Sequence, residues 1–264
     1  MAPTPHLSII IPAYNEESRI LPSLQKIHDF ISTQAFLTEV IVVDDCSTDR
    51  TFDRVNEFIS GKSNYALIQN ERNNGKGGSV RRGMGQARGK FRLFTDADLS
   101  TPIEEVNNFL NAVIPAKAGI QSVNHPRMLK KDDISGFDMV IGSRRVKGAN
   151  VVVRQPIFRE AAGRLFSVLV RLLTLRGFID TQCGFKLFTQ EAAENIFPLQ
   201  TIPGFGFDVE LLFIAARRFG YKIKEAPVPW TDSPSTRVRL FRDSTMMFLD
   251  LIRIRINYLR GEYN

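Results

Sequence analysis

Short apolar runs alternate with segments of helical periodicity along the first half of the chain. Residues 7 to 11, Leu-Ser-Ile-Ile-Ile, form a run typical of a strand buried on both faces. Glu16 to Phe30 then repeats apolar residues at helical spacing. The same alternation predicts further strands at 40–43, 66–69 and 91–94 and further helices at 49–59, 77–87 and 103–113. It predicts an α/β fold with a central, mostly parallel sheet flanked by helices.

The second half of the chain interrupts this pattern and then resumes it. Residues 115–133 combine proline, glycine and several basic side chains, and we interpret them as a variable loop without assigned chemistry. Further strands are predicted at 138–141, 183–188 and 221–226, and further helices at 159–175, from Gln190, and at 208–219. Residues 244–260 predict a basic amphipathic helix, which could lie in a lipid headgroup layer or pack on the core. We expect one domain over residues 1–264.

Acidic residues follow the predicted strand at 91–94. Asp96 and Asp98 stand one residue apart at its carboxyl end, where ligands bind in parallel sheets. Two carboxylates at such a corner can both face a hard divalent cation that bridges to phosphate oxygens. The same pair is also common as a helix cap. The position at the sheet edge favours a metal site.

A second acidic pair, Asp44 and Asp45, follows the predicted strand at 40–43. Carboxylates there can accept hydrogen bonds from a base N–H or from ribose hydroxyl groups. A turn with a helix N-cap is the alternative, and it suits the following Ser47, Thr48 and Asp49. An acidic pair at the end of an apolar strand is costly to bury without a partner, which favours a bound ligand.

Two basic segments are candidates for binding phosphate. Residues 73–78 place three glycines and Lys76 before a predicted helix, so that backbone N–H groups and an ammonium can approach a phosphate. The spacing differs from the Walker pattern, and a structural turn explains the glycines equally well. Arg144 and Arg145 follow the strand at 138–141, where a guanidinium could clamp a diphosphate with paired hydrogen bonds.

The net charge of +7 predicts an acidic partner, such as nucleic acid, anionic lipid or a phosphorylated substrate. The sequence contains no RNA-binding aromatic signature, zinc-finger spacing or helix-turn-helix signal, so a nucleic-acid-binding module is not favoured. Two cysteines are too few for a disulfide framework, which favours a reducing compartment. We expect no signal peptide, and no apolar run approaches the ~20 residues that span a bilayer.

Taken together, these motifs resemble the inverting family 2 glycosyltransferases, which have the Rossmann-like GT-A fold. The resemblance extends from about Leu7 to the C-terminus. It is carried by residues 11–16 (Ile-Pro-Ala-Tyr-Asn-Glu), 42–49 (Val-Val-Asp-Asp-Cys-Ser-Thr-Asp), 96–98 (Asp-Ala-Asp) and 142–144 (Gly-Ser-Arg). Within the family, residues 180–188 and 207–212 are similar to the dolichyl-phosphate β-glucosyltransferase branch.

The resemblance implies roles for individual residues. Residues that would hold the nucleoside are Pro12, Tyr14, Glu16 and Asp44. Asp96 and Asp98 would bind the diphosphate through Mg²⁺ or Mn²⁺, and Arg144 would contact the phosphates. Arg154 and Arg159 match arginines that reach the lipid phosphate in relatives. Asp180 and Asp208 are candidates for a carboxylate on the acceptor side, although each could be structural, Asp208 as a helix N-cap.

The implied reaction transfers glucose from UDP-glucose to a polyprenyl phosphate of the dolichyl type, giving a β-linked lipid-phosphate sugar. We expect a cytoplasmic protein associated peripherally with the cytoplasmic face of a membrane. The eukaryotic glucosyltransferases carry an N-terminal membrane anchor, which we do not expect in this chain. A mannosyltransferase using GDP-mannose, and a soluble transferase with a saccharide acceptor, remain alternatives.

Overall fold

The computed structural model describes residues 3–114, 136–153, 166–175, 177–231 and 240–264. The strands in these ranges are β1 (Leu7–Ala13), β2 (Thr38–Asp44), β3 (Tyr65–Gln69), β4 (Phe91–Thr95), β5 (Met139–Ser143), β6 (Asn150–Val153), β7 (Phe185–Thr189), β8 (Ile223–Pro227) and β9 (Pro229–Thr231). Seven of them form one sheet in the order β3-β2-β1-β4-β7-β5-β8, and β6 pairs with β9 separately.

Helices connect the strands. The described α-helices are α1 (Ile20–Ser32), α2 (Thr51–Ile59), α3 (Gly75–Gln86), α4 (Val106–Val113), α5 (Gln190–Ile196), α6 (Phe207–Arg217) and α7 (Leu240–Leu259). Residues 166 to 173 are also helical, and they are the described part of the helix predicted over 159–175. Helix α1 begins at Ile20 rather than at Glu16, and residues 17–19 form a turn before it. The Glu16 backbone N–H donates to Thr51 Oγ1 (2.7 Å), and the Glu16 side chain binds Arg19.

The sheet is covered on both faces, as the alternation predicted. All seven residues of β2 are buried, and β2 pairs in parallel with β1 from Leu7↔Thr38 to Ala13↔Asp44. Successive side chains of a strand point to opposite faces. One face therefore packs on α3, α6 and α7, and the other packs on α1 and α4. The predicted α/β fold with a mostly parallel central sheet is confirmed.

Strand β7 runs against its neighbours, which the sequence did not predict. It is antiparallel to both β4 and β5, with Thr95 paired to Phe185. The start of β7 therefore lies beside the carboxyl end of β4. As a result, residues 180–184 reach the edge of the sheet where Asp96 and Asp98 are located.

The remaining differences concern the far side of the sheet. Strand β5 continues to Ser143, so Gly142 and Ser143 belong to the strand, whereas the sequence placed them after it. The ribbon of β6 and β9 was not predicted, since each strand has only a few residues. The predicted loop at 115–133 lies outside the described residues. Within the described ranges, no helix is both long enough and apolar enough to cross a membrane.

Helix α7 is fastened to α6 through a buried carboxylate. Glu210 of α6 is fully buried and accepts hydrogen bonds from Tyr263 Oη (2.7 Å) and from the backbone N–H of Ile202 (2.8 Å). It also accepts from the Thr201 hydroxyl (2.6 Å), to which Asn257 of α7 donates (2.9 Å). The C-terminal segment thus completes the hydrogen bonding of a charge inside the core.

Candidate functional site

The ends of β1, β2 and β4 meet the start of β7 at one edge of the sheet. Asp44 ends β2, and Asp96 lies just beyond β4. The Asp96 backbone N–H donates to the Gly184 carbonyl before β7 (3.1 Å). The sheet therefore gathers the predicted donor residues from both acidic motifs at a single edge.

Asp44 is the acidic residue best suited to accept a hydrogen bond from a bound ligand. It is fully buried, and its Oδ2 accepts hydrogen bonds from the Ser47 backbone N–H (3.2 Å) and Gln69 Nε2 (3.3 Å). Its Oδ1 is buried without a hydrogen-bond partner among the described residues. An unsatisfied buried acceptor costs about 1–3 kcal/mol, and a base N–H or ribose hydroxyl would recover it.

Asp45 has a structural task. Its Oδ1 accepts hydrogen bonds from Asn70 Nδ2 (2.6 Å) and from the Asn74 backbone N–H (2.8 Å). These contacts join the end of β2 to the loop that precedes α3. Direct contact of Asp45 with the donor stays a prediction.

The residues after β1 lie at the same edge. Tyr14 is 39% exposed, whereas Pro12 is half-buried within β1 and Glu16 is buried. The Glu16 carboxylate is gripped by Arg19 through Nε (2.7 Å) and Nη2 (2.6 Å). Arg19 Nη1 also lies 3.5 Å from Asp98 Oδ2. Arg19 was not predicted. It connects Glu16, on the predicted nucleoside side of the site, to the pair Asp96 and Asp98, which we call the acidic corner.

Asp96 lies flat against the chain at Gly184. A Cβ atom at position 184 would stand 2.0 Å from Asp96 Oδ2 and 2.3 Å from its Cγ, so only glycine permits this position of the carboxylate. On its other side, Asp96 Oδ1 is 2.5 Å from Lys76 Nζ. Asp96 therefore lies between Gly184, which directly precedes β7, and Lys76 of α3.

Asp98 closes the acidic corner. Its Oδ1 accepts hydrogen bonds from the backbone N–H (3.0 Å) and hydroxyl (2.9 Å) of Ser100, and its Oδ2 faces Arg19. The helix-cap alternative is not realised, because the next short helix begins at Ile103 with Pro102 as its N-cap, and Asp98 instead stabilises a local turn at Ser100. No group of three or more His, Cys, Asp or Glu side chains within the described ranges is arranged for a metal. The hard oxygens of Asp96 and Asp98 fit Mg²⁺ or Mn²⁺ when a diphosphate supplies further ligands.

Gly75, Gly77 and Gly78 lie in the first turn of α3, and the sequence had placed them before the helix. A Cβ at Gly75 would lie 2.6 Å from the Pro203 carbonyl oxygen, and one at Gly77 would lie 2.7 Å from Phe207 Cβ. The Gly78 N–H donates to the same carbonyl (3.2 Å). Close packing therefore accounts for these glycines without a ligand, and phosphate binding by Lys76 stays a prediction.

Lys76 is surrounded by carboxylates. Burial lowers its pKa, but Asp96, Asp208 and Asp98 raise it more strongly, so the net pKa is above that of a free lysine. The ammonium form therefore persists at neutral pH. A permanent positive charge at this position can bind an anionic donor group.

Asp208 is a buried ion-pair partner and not a helix N-cap. Helix α6 begins at Phe207 with Gly206 as its N-cap, which places Asp208 within the first turn. Its carboxylate pairs with Lys186 Nζ of β7, which also donates to the Cys183 carbonyl (2.6 Å). Burial raises the pKa of Asp208, while Lys186 and Lys76 oppose that rise. Lys186 had no predicted role, although a lysine within an apolar strand was a usable signal.

Arg144 and Asp180 form an ion pair. Arg144 donates to Asp180 from Nε (2.7 Å), Nη2 (2.8 Å) and its backbone N–H (3.0 Å), and its Cζ lies 5.2 Å from the centre of the Trp230 ring. Burial raises the pKa of Asp180, but Arg144 overcomes this effect and holds it at about 2. The edge of the guanidinium that carries Nε and Nη2 therefore faces Asp180. Phosphate binding by Arg144 stays a prediction.

The remaining residues named from the sequence are Arg145, Arg154, Arg159 and Cys183. Arg154 and Arg159 lie outside the described residues. Cys183 is buried, and burial raises its pKa to about 11, so it is a packing residue. Arg145 donates from Nη1 to Ser167 Oγ (2.6 Å) on the helix at 166–173.

Sequence comparisons show which family the chain belongs to. The model of Glycosyl transferase family 2 matches residues 8–197. Dolichyl-phosphate beta-glucosyltransferases of Dictyostelium discoideum and Saccharomyces cerevisiae are each 34% identical over 264 residues, covering 97% of this chain and 76% of the relative. The human protein of that name is 33% identical over 272 residues, covering 99% of this chain and 78% of its own length.

Solved structures show the same fold. A glucosyl-3-phosphoglycerate synthase from Mycobacterium tuberculosis, in complex with Mn²⁺, UDP and glucosyl-3-phosphoglycerate, has a TM-score of 0.61 at 19% identity and covers 95% of this chain and 80% of its own. A mannosyltransferase from Pyrobaculum calidifontis, in complex with GDP-Man and Mn²⁺, has a TM-score of 0.58 at 18% identity and covers 98% and 65%, respectively. These likenesses confirm the predicted GT-A fold.

Proposed function

The chain belongs to glycosyl transferase family 2 and is a glycosyltransferase, and on that basis we propose that it transfers glucose from UDP-glucose to a polyprenyl phosphate of the dolichyl type. The observation that carries the donor half is the acidic edge itself, where Asp44 ends β2 and where Asp96 and Asp98 follow β4. The acceptor half is supported by relatives that are named dolichyl-phosphate beta-glucosyltransferases. Their alignments cover nearly the whole of this chain at 33–34% identity.

The nucleoside binds beside Asp44 in this proposal. The buried Oδ1 of Asp44 accepts a hydrogen bond from the uracil N–H, which supplies the partner that the described residues do not provide. The exposed ring of Tyr14 lies one residue beyond β1 and offers a surface for the base. Glu16 acts indirectly, because its carboxylate orients Arg19 toward Asp98.

The diphosphate binds at the acidic corner. Asp96 and Asp98 would hold Mg²⁺ or Mn²⁺, which supplies Lewis-acid stabilisation of the charge on the departing diphosphate. Lys76 adds a second positive charge within reach of Asp96. Gly184 keeps the Asp96 carboxylate in place through its missing side chain. The protein thus orients the leaving group before the acceptor attacks.

The acceptor reacts as an ionised phosphate. A phosphate oxygen forms a bond to the anomeric carbon while the bond to the UDP oxygen breaks, and UDP leaves with that electron pair. Attack from the opposite side inverts the configuration and gives a β-linked product. Because the phosphate is already anionic at neutral pH, the step needs little help from a base. The buried pairs of Asp180 with Arg144 and of Asp208 with Lys186 accordingly serve to position the site.

We expect label from UDP-glucose to enter the organic phase when purified protein is incubated with Mg²⁺ or Mn²⁺ and polyprenyl phosphate. Parallel reactions with labelled UDP-galactose and GDP-mannose test the donor, and polyprenol without phosphate is the matched acceptor control. Transfer from GDP-mannose instead would identify a mannosyltransferase. Transfer only to water-soluble saccharides would refute the lipid acceptor. NMR of the product should show the β configuration.

Helix α7 presents the surface that we assign to the membrane. Exposed apolar side chains recur at spacings of three or four residues, as in Leu249, Ile252, Ile256 and Leu259. They form one face of the helix. Met247, Leu251 and Ile254 are buried on the opposite face. Arg253 and Arg255 are exposed along the same helix, and Arg260 is exposed directly after it. Apolar side chains flanked by arginines favour an anionic headgroup layer as the partner.

Membrane binding by this surface should depend on both salt and apolar side chains. The double variant Leu249→Gln/Ile256→Gln should bind phosphatidylglycerol vesicles at least about tenfold more weakly than the unchanged protein, because it loses burial of two large side chains. Leu37→Gln removes an exposed leucine elsewhere and should change nothing. Cosedimentation at low and high salt provides the measurement. Equal binding at both salt concentrations, or self-association of unchanged protein without binding, would contradict this assignment and the peripheral cytoplasmic location.

A further inference from the structure

We propose that Lys76 sets the order in which ligands enter the site, so that the divalent metal ion binds strongly only after the nucleotide. The proposal rests on the donor site described under the proposed function and adds a role for a residue of α3. It concerns the competition of two cations for one carboxylate.

The geometry leaves Asp96 little freedom. Its Oδ1 is 2.5 Å from Lys76 Nζ, which is the contact of a direct ion pair. Its Oδ2 and Cγ lie within 2.0 and 2.3 Å of the position that a Cβ at residue 184 would take. The carboxylate therefore lies between the backbone at Gly184 and the ammonium of Lys76. A metal ion that binds Asp96 must share it with a neighbouring positive charge.

The position of Lys76 is itself fixed. It is the second residue of α3, and the glycines on either side of it pack against Pro203 and Phe207. The Gly78 N–H also donates to the Pro203 carbonyl (3.2 Å). The helix start therefore cannot move away to make room for a second cation. The side chain of Lys76 has to turn toward another anion before the metal ion gains full access to Asp96.

A diphosphate is the anion that resolves this competition. Its oxygens can accept hydrogen bonds from an ammonium and can coordinate a divalent cation at the same time. With the nucleotide bound, Lys76 and the metal ion are both attracted to the diphosphate and no longer compete for Asp96 alone. Without it, the two positive charges repel each other across one carboxylate. Nucleotide and metal binding are thus coupled, and the coupling depends on Lys76.

The test measures binding of Mn²⁺ by electron paramagnetic resonance, with and without UDP, in the unchanged protein and in Lys76→Met. We expect UDP to tighten Mn²⁺ binding by the unchanged protein at least about tenfold, within the usual range for coupled sites. In Lys76→Met, Mn²⁺ should bind without UDP several-fold more tightly, and the effect of UDP should shrink. Lys76→Arg keeps the charge and should behave like the unchanged protein.

Lys90→Met is the matched control, because it removes an exposed lysine that lies beyond the opposite end of α3, immediately before β4. It should leave both Mn²⁺ affinities unchanged. Equal Mn²⁺ affinity of Lys76→Met and the unchanged protein without UDP would overturn the role of Lys76, while transfer of glucose would still stand. Absence of Mn²⁺ binding by the unchanged protein even with UDP would overturn this proposal together with the metal dependence. Circular dichroism of each variant establishes that it is folded.

Discussion

Replacement of Asp96 by alanine is expected to lower kcat/KM for glucose transfer by about 10³-fold or more, since the leaving diphosphate loses its electrostatic support. Asp96 contacts Lys76 and lies against Gly184 at the centre of the acidic edge. Its carboxylate is partly exposed, with 36% of the side chain accessible, so the substitution should leave the free energy of unfolding nearly unchanged.

Glu57→Ala is the control for Asp96→Ala, because it removes an exposed carboxylate from α2, away from the sheet edge. Its kcat/KM should equal that of the unchanged protein. Initial rates at several UDP-glucose concentrations, together with thermal unfolding of each variant, provide the measurement. An Asp96→Ala enzyme whose kcat/KM stays within about tenfold of the unchanged protein, a barrier change of only about 1.4 kcal/mol, would remove Asp96 from the donor site.

The second large effect is on stability. Lys186→Met should lower the free energy of unfolding by about 3–5 kcal/mol, because Asp208 would then be buried without its ion-pair partner. Both side chains are buried within the sheet and helix layers, so water cannot replace the lost ammonium. Urea unfolding at equilibrium measures the change.

The loss in Lys186→Met should depend on pH. Burial already raises the pKa of Asp208, and removal of Lys186 takes away the main opposing charge. A carboxyl whose pKa is higher in the folded state than in the unfolded state is destabilising once it ionises, so stability falls as pH rises through the folded pKa. The variant should therefore be closer to the unchanged protein at acidic pH than at alkaline pH.

The double variant Lys186→Met/Asp208→Leu separates the ion pair from general damage to the core. Replacement of both charges by apolar side chains of similar size should restore most of the lost stability. A double variant as unstable as Lys186→Met would show that packing around β7, and not the unpaired carboxylate, causes the loss.

The order of strands and helices was readable from the sequence because buried parallel strands are continuous apolar runs. Residues 7–11 and 40–43 gave the central strands, and the acidic residues behind them gave the edge where the site lies. The reversal of β7 was not readable, since Phe-Lys-Leu-Phe has the same composition in either direction. That reversal brings Gly184 against Asp96, so the tightest constraint on the acidic corner came only from the structure.

The electrostatic partners were also hidden from sequence reasoning. Arg144 was predicted as a phosphate ligand, yet its paired donors face Asp180, which is 36 positions away in the chain. Asp208 was considered as a possible helix N-cap, but its partner is Lys186 on the sheet. Patterns along a sequence identify charged residues near strand ends. Which charges neutralise one another depends on contacts between distant segments.

The buried Glu210 has a consequence for dissecting this enzyme. The family model stops at residue 197, which invites a shortened version that lacks the C-terminal helix. Asn257 of that helix contacts Thr201, and Tyr263 just after the helix contacts Glu210, so cutting this segment away would expose the Glu210 side chain and the apolar surface beneath. The helix that contacts lipid in our proposal therefore also covers part of the core. A catalytic fragment without it is not expected to fold.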